Sequence, residues 1–340
     1  MRQTYTFDDL LLVPKYSDIA SRSHVDLSSD LDDKTTLTLP VISSPMDTVT
    51  ETSMAIAMHK AGGLGIVHRY NSIEEQARLV RNASIEEECN VGAAIGVVGD
   101  YLGRATAVHD AGARVLCVDV AHGHHVMVRR CLYELRDAFG SGVHIMAGNV
   151  ATLEAFNDLS KWGADSIRVG IGGGSICSTR IVTGHGVPTL QSIFDVSQTT
   201  YDTKIIADGG IKTTGDMVKA LAAGADFVML GSMLAGTDQT PGQTFTNVKG
   251  ESYKAYRGMA SAQAQRDWRG KSSTPEGVAT TIPYRGCVNS IVQDIDGGLR
   301  SGLSYTGART LQQLQSSCEF VVQTQAGQSE SSTHILWRNK

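Results

Sequence analysis

Ala223-Gly224-Ala225-Asp226-Phe227-Val228-Met229-Leu230-Gly231-Ser232 is the stretch on which the fold turns. A helical segment ends on glycine, a continuous apolar run follows, and small polar residues appear where the run stops. Glycine closes helices because it enters the left-handed conformation without a Cβ penalty. An unbroken apolar run marks a strand covered on both faces, as in parallel sheets. The pattern repeats: Ala61-Gly62-Gly63, Ala111-Gly112-Ala113 and Trp162-Gly163-Ala164 precede Leu64–His68, Val115–Val120 and Ser166–Val169. Leu39–Met46, Val91–Val97, His144–Val150 and Lys204–Ala207, with Phe227–Leu230, bring the strands to eight. Eight strands with helices between most of them predict an α/β fold, a (β/α)8 TIM barrel. A doubly wound open sheet is the rival arrangement and ranks below it.

One catalytic domain is expected over residues 1–340, because no linker is long enough to set off a second folded unit. Past Gly236 the periodicity fades. Thr244–Tyr256 reads as a small hairpin turning at Lys249-Gly250, Ala260–Pro275 as a polar flap with little order, and Val288–Leu299 and Gly307–Ser316 as closing helices. The segment after Gln323 reads as a polar tail that leaves the barrel for a neighbouring subunit. A net charge of −5 gives no basic footprint for nucleic acid. No apolar run approaches a membrane span and the first residues lack a signal core. The six cysteines are scattered without a C-x-x-C pair, which fits a reducing, cytoplasmic setting. Cys117, inside an apolar strand, reads as a buried inert thiol.

Barrel chemistry collects where strands run out into loops. The exits here are Ser43–Asp47, His68-Arg69, Asp119–Gly123, Gly148-Asn149, Gly170–Thr179, Asp208–Gly210 and Gly231-Ser232, all small, polar or charged. Gly170-Ile171-Gly172-Gly173-Gly174-Ser175-Ile176-Cys177-Ser178-Thr179 combines a glycine cradle for phosphate with a thiol. A lone glycine cluster is weak evidence, and a cysteine such as Cys177 is often structural. Asp208-Gly209-Gly210 and Gly231-Ser232 at the next two exits, where barrels bind phosphate, strengthen the reading. A ribose phosphate would lie across the three exits, with Asp208 on the ribose and the base toward Cys177. A thiolate facing a purine suggests covalent addition at an electrophilic ring carbon. Thr179 and Glu276 are the candidate proton relay, although Glu276 alone could equally be a solvated loop acid.

These motifs together resemble the IMP dehydrogenase/GMP reductase family over nearly the whole chain. The family's G-x-G-x-G-S-x-C-x-T loop stands at Gly170–Thr179. Ser43–Glu51, Asp208–Ile211, Leu230–Gly236, Tyr256–Met259 and Gly298–Gly302 match in order. The resemblance implies a (β/α)8 barrel assembled as a homotetramer and acting on a purine nucleoside monophosphate. It implies that Cys177 bonds to purine C2 while Thr179 and Glu276 move protons. Ser175, Gly210, Gly231, Ser232 and Tyr256 would hold the 5′-phosphate and Asp208 the ribose, with Ser44, Met46, Gly258 and Met259 along the base. Asp119, Gly170 and Gly172 would meet the nicotinamide ribose, supported by Asn149 and Arg168. A monovalent cation, potassium in expectation, would sit on the carbonyls of Gly172, Gly174 and Cys177 and on a neighbour's Glu330, Ser331 and Ser332.

The family's two activities share the covalent intermediate and then diverge. The dehydrogenase oxidises IMP with NAD and hydrolyses the adduct to XMP; the reductase expels ammonia from GMP and takes hydride from NADPH. The regulatory nucleotide-binding modules usual in dehydrogenases have no place in this chain. The flap between Met259 and Glu276 is also short and lacks the dehydrogenase's adjacent Arg-Tyr pair, Arg266-Asp267-Trp268 being the nearest stretch. The opening motif, Gly298–Gly302 and the tail look more like dehydrogenase. Weighing what the chemistry requires, we expect GMP reductase with NADPH. A dehydrogenase with NAD is the alternative, and a catalytically idle nucleotide-binding protein comes third. Arg266, Arg269 and Lys271 are the residues that could meet a 2′-phosphate.

Overall fold

A computed structural model describes residues 2–85, 89–331 and 333. Its centre is a closed barrel of eight parallel strands. These are Val41–Ser43, Leu64–Val67, Val91–Ile95, Val115–Asp119, His144–Val150, Ser166–Val169, Lys204–Asp208 and Phe227–Leu230, and the last pairs back onto the first. The closing register sets Val228 against Val41 and Leu230 against Ser43. Helices Thr52–Lys60, Ile73–Ile85, Tyr101–Asp110, Val126–Phe139, Leu153–Lys161, Thr189–Val196, Thr214–Ala222 and Val288–Tyr305 cover the outside. All eight expected strands are present, with ends within two or three residues of those read from the sequence.

Local chemistry explains the repeat. The helix-ending glycines Gly62, Gly112, Gly163 and Gly224 all have positive φ, from 83° to 114°, a region that costs glycine nothing. The aspartates that follow two of them staple neighbouring strands. Asp165 accepts the amide of Ile145 and Asp226 that of Ile205, each at 2.7 Å. Helix starts are capped as well: Thr213 and Asp216 form a reciprocal capping box.

The interior is packed with side chains, as barrels of this size require. Ile42, Leu64, Ile66, Cys117, Met146, Ile206 and Phe227 form one fully buried cluster. Leu31 and Leu37 join it from an antiparallel hairpin, Ser29–Asp32 with Thr35–Leu37, that plugs the end where the strands begin. Burial pushes the Cys117 thiol up to about 12, so it stays protonated and inert. Asp32, on the plug, lies 3.1 Å from Nδ1 of His144, whose Nε2 lies 2.8 Å from Ser166 Oγ. Leu10–Leu12 pairs antiparallel with Phe320–Val322.

Three expectations need correction. The hairpin is a three-stranded sheet, Phe245–Thr246, Ser252–Arg257 and Ala279–Pro283. The third strand carries no alternating pattern in the chain, because four of its five residues are exposed. The flap is ordered: Ala262–Arg269 is a helix, opened by Ser261 accepting the Ala264 amide at 3.2 Å and closed by Gly270 at φ 70°. The closing helix expected to stop at Leu299 continues to Tyr305.

His144 holds the Asp32 carboxyl down to about 2, from an ordinary value of 3.8. A depressed carboxylate stabilises the fold above its unfolded pKa and loses that contribution as pH falls toward the folded one. Asp32→Asn should therefore lower the chemical-denaturation midpoint near neutrality, and the gap from the parent should narrow between pH 4 and pH 2. A gap unchanged across that window would show that the pair does not tie the plug to the barrel.

Candidate active site

The strand Ser166–Val169 leads into Gly170, where φ is 145° and a Cβ would stand 1.9 Å from the Asp208 carbonyl oxygen. No other residue fits so close to the neighbouring strand. The loop then turns back, with the Cys177 amide donating to the Gly174 carbonyl at 3.1 Å. From there it is stitched to a distant segment. The Ser178 amide donates to Glu276 O at 3.0 Å and the Val278 amide to Ile176 O at 2.9 Å. This backbone pairing fixes a side-chain line. Cys177 Sγ donates to Thr179 Oγ1 at 3.2 Å, and Thr179 Oγ1 donates to Glu276 Oε2 at 2.8 Å. All three residues are half-buried on the wall of one cleft of about 680 Å³.

Buried charge organises the cleft floor. Arg168, 7% exposed, donates to Asp119 at 2.6 Å and to Asp208 Oδ2 at 2.9 and 3.1 Å. Asn149 Nδ2 adds a bond to the same Asp208 oxygen at 2.8 Å and another to Gly170 O at 2.9 Å. Burial works against the Arg168 charge, but Asp208 and Asp119 outweigh it and hold its pKa well above the ordinary value. Burial likewise opposes the Asp119 carboxylate, and Arg168 with Arg69 more than offsets it, so its pKa is lowered.

At one end, small residues and hydroxyls converge. Ser175 Oγ lies 3.4 Å from the Tyr256 hydroxyl, which Ser232 also contacts. Burial raises the Tyr256 pKa and keeps the phenol a neutral donor. A Cβ on Gly231 would meet Met46 Sδ at 3.2 Å, Tyr256 Oη at 3.3 Å and Ser44 Oγ at 3.6 Å. Gly210 faces Phe7 there, bringing the N-terminal segment to the cleft. This end is donor-rich, neutral and tight.

At the other end the flap closes over the strand exits. Arg257 bonds Asp47 at 2.6 and 3.0 Å and also pairs with Asp267 on the flap helix. Met259 Sδ accepts the Asp47 amide at 3.3 Å. Trp268 stacks on Tyr70 with centroids 5.7 Å apart and planes 12° from parallel.

Of the residues singled out from the sequence, Cys177, Thr179, Glu276, Ser44, Met46, Ser175, Asp208, Gly210, Gly231, Ser232, Tyr256, Gly258, Met259, Asp119, Asn149, Arg168, Gly170, Gly172 and Gly174 all line this cleft. Glu330 and Ser331 do not; they lie at the end of the exposed helix Gln325–Glu330, where Ser331 Oγ donates to Gly327 O at 3.0 Å. Ser332 falls outside the described residues. Phe7, Tyr70 and Gln265 also face the cleft, and no motif in the chain marks them. Tyr70 follows the exit His68-Arg69 by one residue, and that proximity was the available clue.

Fold and cleft define a barrel enzyme in which a thiol, a hydroxyl and a carboxylate are linked beside a recess lined by hydroxyls and glycine. A model of the IMP dehydrogenase / GMP reductase domain matches residues 4–334. Inosine-5′-monophosphate dehydrogenase of Nitrosopumilus maritimus (strain SCM1) is 35% identical over 470 aligned positions, covering 98% of both chains. That of Aquifex aeolicus (strain VF5) is 33% identical, covering 98% of this chain and 96% of its own. A solved GMP reductase variant from Trypanosoma brucei, in complex with guanosine 5′-monophosphate, superposes with a TM-score of 0.93 at 30% identity, over 98% of each chain. The chain belongs to the IMP dehydrogenase/GMP reductase family and is an oxidoreductase of that family.

Arg168→Met would leave two carboxylates facing each other across the cleft floor without their cation. Removing one partner of a buried ion pair costs about 3–5 kcal/mol, so the denaturation midpoint should fall by a corresponding amount. A loss within error of zero would mean that Asp119 and Asp208 are solvated enough not to need it.

Proposed function

We propose that the protein is a GMP reductase, converting GMP and NADPH to IMP, ammonia and NADP. The observation that carries this reading is the donor line from Cys177 through Thr179 to Glu276. Glu276 draws the thiol proton through Thr179 as Cys177 Sγ bonds to purine C2. It returns that proton by the same route to the departing amino group. NADPH, when bound, would supply the hydride that reduces C2; the C–S bond then breaks and Cys177 regains its thiol with a proton from solvent. One proton is consumed overall, as GMP + NADPH + H⁺ gives IMP + NADP⁺ + NH₃.

The remaining residues take roles that fit their chemistry. Ser175, Ser232 and Tyr256 present hydroxyls, and Gly210 and Gly231 present backbone, to the 5′-phosphate. Asp208 uses Oδ2 on Arg168 and Asn149 and offers Oδ1 to the ribose. Ser44, Met46, Gly258 and Met259 pack along the base. Asp119, with the backbone of Gly170 and Gly172, meets the nicotinamide ribose while Asn149 and Arg168 brace it. Residues along the cleft fit a nicotinamide nucleotide: Arg69 Nε is buried without an acceptor on a wall that includes Asp119. The carbonyls of Gly172, Gly174 and Cys177 supply half a shell for potassium, and a neighbour's Glu330 and Ser331 the rest, which fits a homotetramer. The dehydrogenase alignments run to 470 and 472 positions against a chain of 340 residues. Those relatives thus carry residues without a counterpart here, which supports a single barrel domain without a regulatory module. No helix among the described residues is long and apolar enough to cross a membrane, and six free cysteines agree with the cytoplasm.

What favours reduction over hydrolysis is the flap: Ala262–Arg269 contains no tyrosine, and Glu276 is already committed to the thiol. IMP dehydrogenase is the second reading. It is favoured by the identity to the two dehydrogenases and by Tyr70 and Arg269 lining one cleft from separate segments.

Purified protein given GMP with NADPH should consume NADPH and release ammonia; XMP and NADH from IMP with NAD would decide for the dehydrogenase. Cys177→Ala should abolish turnover while GMP still binds, and residual turnover near the parent rate would exclude the covalent route. Glu276→Gln should slow turnover by about 100-fold or more, with little change in GMP affinity by calorimetry.

A further inference from the structure

The flap helix is mostly polar, yet it buries one amide. Gln265 is 6% exposed and faces the cleft. Its Nε2 donates to Ala260 O at 2.9 Å. Its Oε1 accepts the Ser273 amide at 2.8 Å and Ser273 Oγ at 3.2 Å. Ala260 lies just before the helix and Ser273 after it, so one side chain clasps both legs of the flap. The Ala260 carbonyl that Gln265 holds also accepts the Glu276 amide at 3.1 Å. Gln265 and Glu276 therefore meet at a shared acceptor.

An enclosed amide needs partners for both its donor and its acceptor. Gln265 finds its acceptor role on a segment with little else to hold it. Residues 271–275 form no helix or strand, and no backbone hydrogen bond among the described residues ties them down. From Glu276 to Val278 the backbone is fixed, by Ile176–Ser178 on one side and by Gly258 and Ala260 on the other. Glu276 is thus the first anchored residue after a loose approach, and the Gln265 clasp steadies that approach three residues earlier. An apolar side chain at 265 would leave Ser273 without its acceptor and free the Ala260 carbonyl to turn. The contact from Thr179 Oγ1 to Glu276 Oε2, at 2.8 Å, tolerates little drift, because hydrogen bonds weaken steeply with misalignment. We infer that Gln265 is a positioning residue for Glu276: by clasping Ala260 and Ser273 it sets the carboxylate against Thr179. The inference rests on the proposed relay from Cys177 through Thr179 to Glu276 but not on the direction of the reaction.

Gln265→Met keeps the length of the side chain and removes the amide, and the barrel does not depend on it for its core. In whichever of the two turnovers the parent catalyses, it should lower kcat about tenfold or more. KM and the calorimetric affinity for the nucleotide should stay at the parent's values. A fall in kcat and kcat/KM together marks an interaction felt in the transition state alone. Placed on Glu276→Gln, the same change should slow turnover no further, because residues that act as one unit do not add. An unchanged kcat would overturn the positioning role. So would a loss of nucleotide affinity that matches the loss of rate, which would make Gln265 a support of the cleft as a whole. A full second loss in the double variant would overturn it too, since Gln265 would then act independently of Glu276. Glu276→Gln turning over at the parent rate would overturn the proposed relay itself, and is recognisable before Gln265 is changed.

Discussion

Arg168 is a buried cation on which side chains from three strands of the barrel converge. It rises from Ser166–Val169, while Asp119 and Asp208 end strands on either side of the cleft floor. A guanidinium so enclosed is tolerable only when its fork is matched by carboxylates. That demand fixes where both acids point. Asp208 is left with one oxygen for a ligand, and Asp119 is drawn toward the wall that bears Arg69. The hydroxyl cluster and the thiol line then stand at set distances from a floor that does not relax.

The flap is tied into this frame by contacts of a different kind. Arg257 spans from Asp47, on the first strand exit, to Asp267. Trp268 lies on Tyr70, with the Arg69 and Arg104 guanidiniums 5.4 Å from the Tyr70 ring and 5.8 Å from the Trp268 ring respectively. These are partly exposed interactions, each worth on the order of 1 kcal/mol, against a barrel held by dozens of buried apolar side chains. The line from Cys177 through Thr179 to Glu276 is held more firmly, because backbone pairing between Ile176–Ser178 and Glu276–Val278 fixes it. Rigid chemistry beneath a lightly fastened cover is the resulting division of labour.

The barrel could be read from the chain because its strands are buried on both faces and appear as unbroken apolar runs such as Phe227–Leu230. The cleft could be read because polar residues cluster where those runs stop. The flap helix could not. Its residues are mostly polar, and its order comes from Trp268 meeting Tyr70 and from Asp267 meeting Arg257, partners far away in sequence. Ala279–Pro283 was missed for the related reason that an exposed strand lacks the alternation that would announce it.

The barrel's seam lies between its first and last strands, and the recess beneath Gly231 sits on it. Ser44 and Met46 come from one lip, Gly231 and Ser232 from the other, and the Ser44 amide donates across to Leu230 O at 3.0 Å. A chain with seven strands assembled would possess its thiol and its floor yet lack the recess proposed to seat the phosphate. Closing that seam requires contacts between distant parts of the sequence, the slow kind in folding. In the proposed reading a nucleotide recognises only the finished barrel, and by mass action it favours that state over any open one. On that reading, ligand supply and completion of the fold form a single linked equilibrium, in which the nucleotide holds the seam shut.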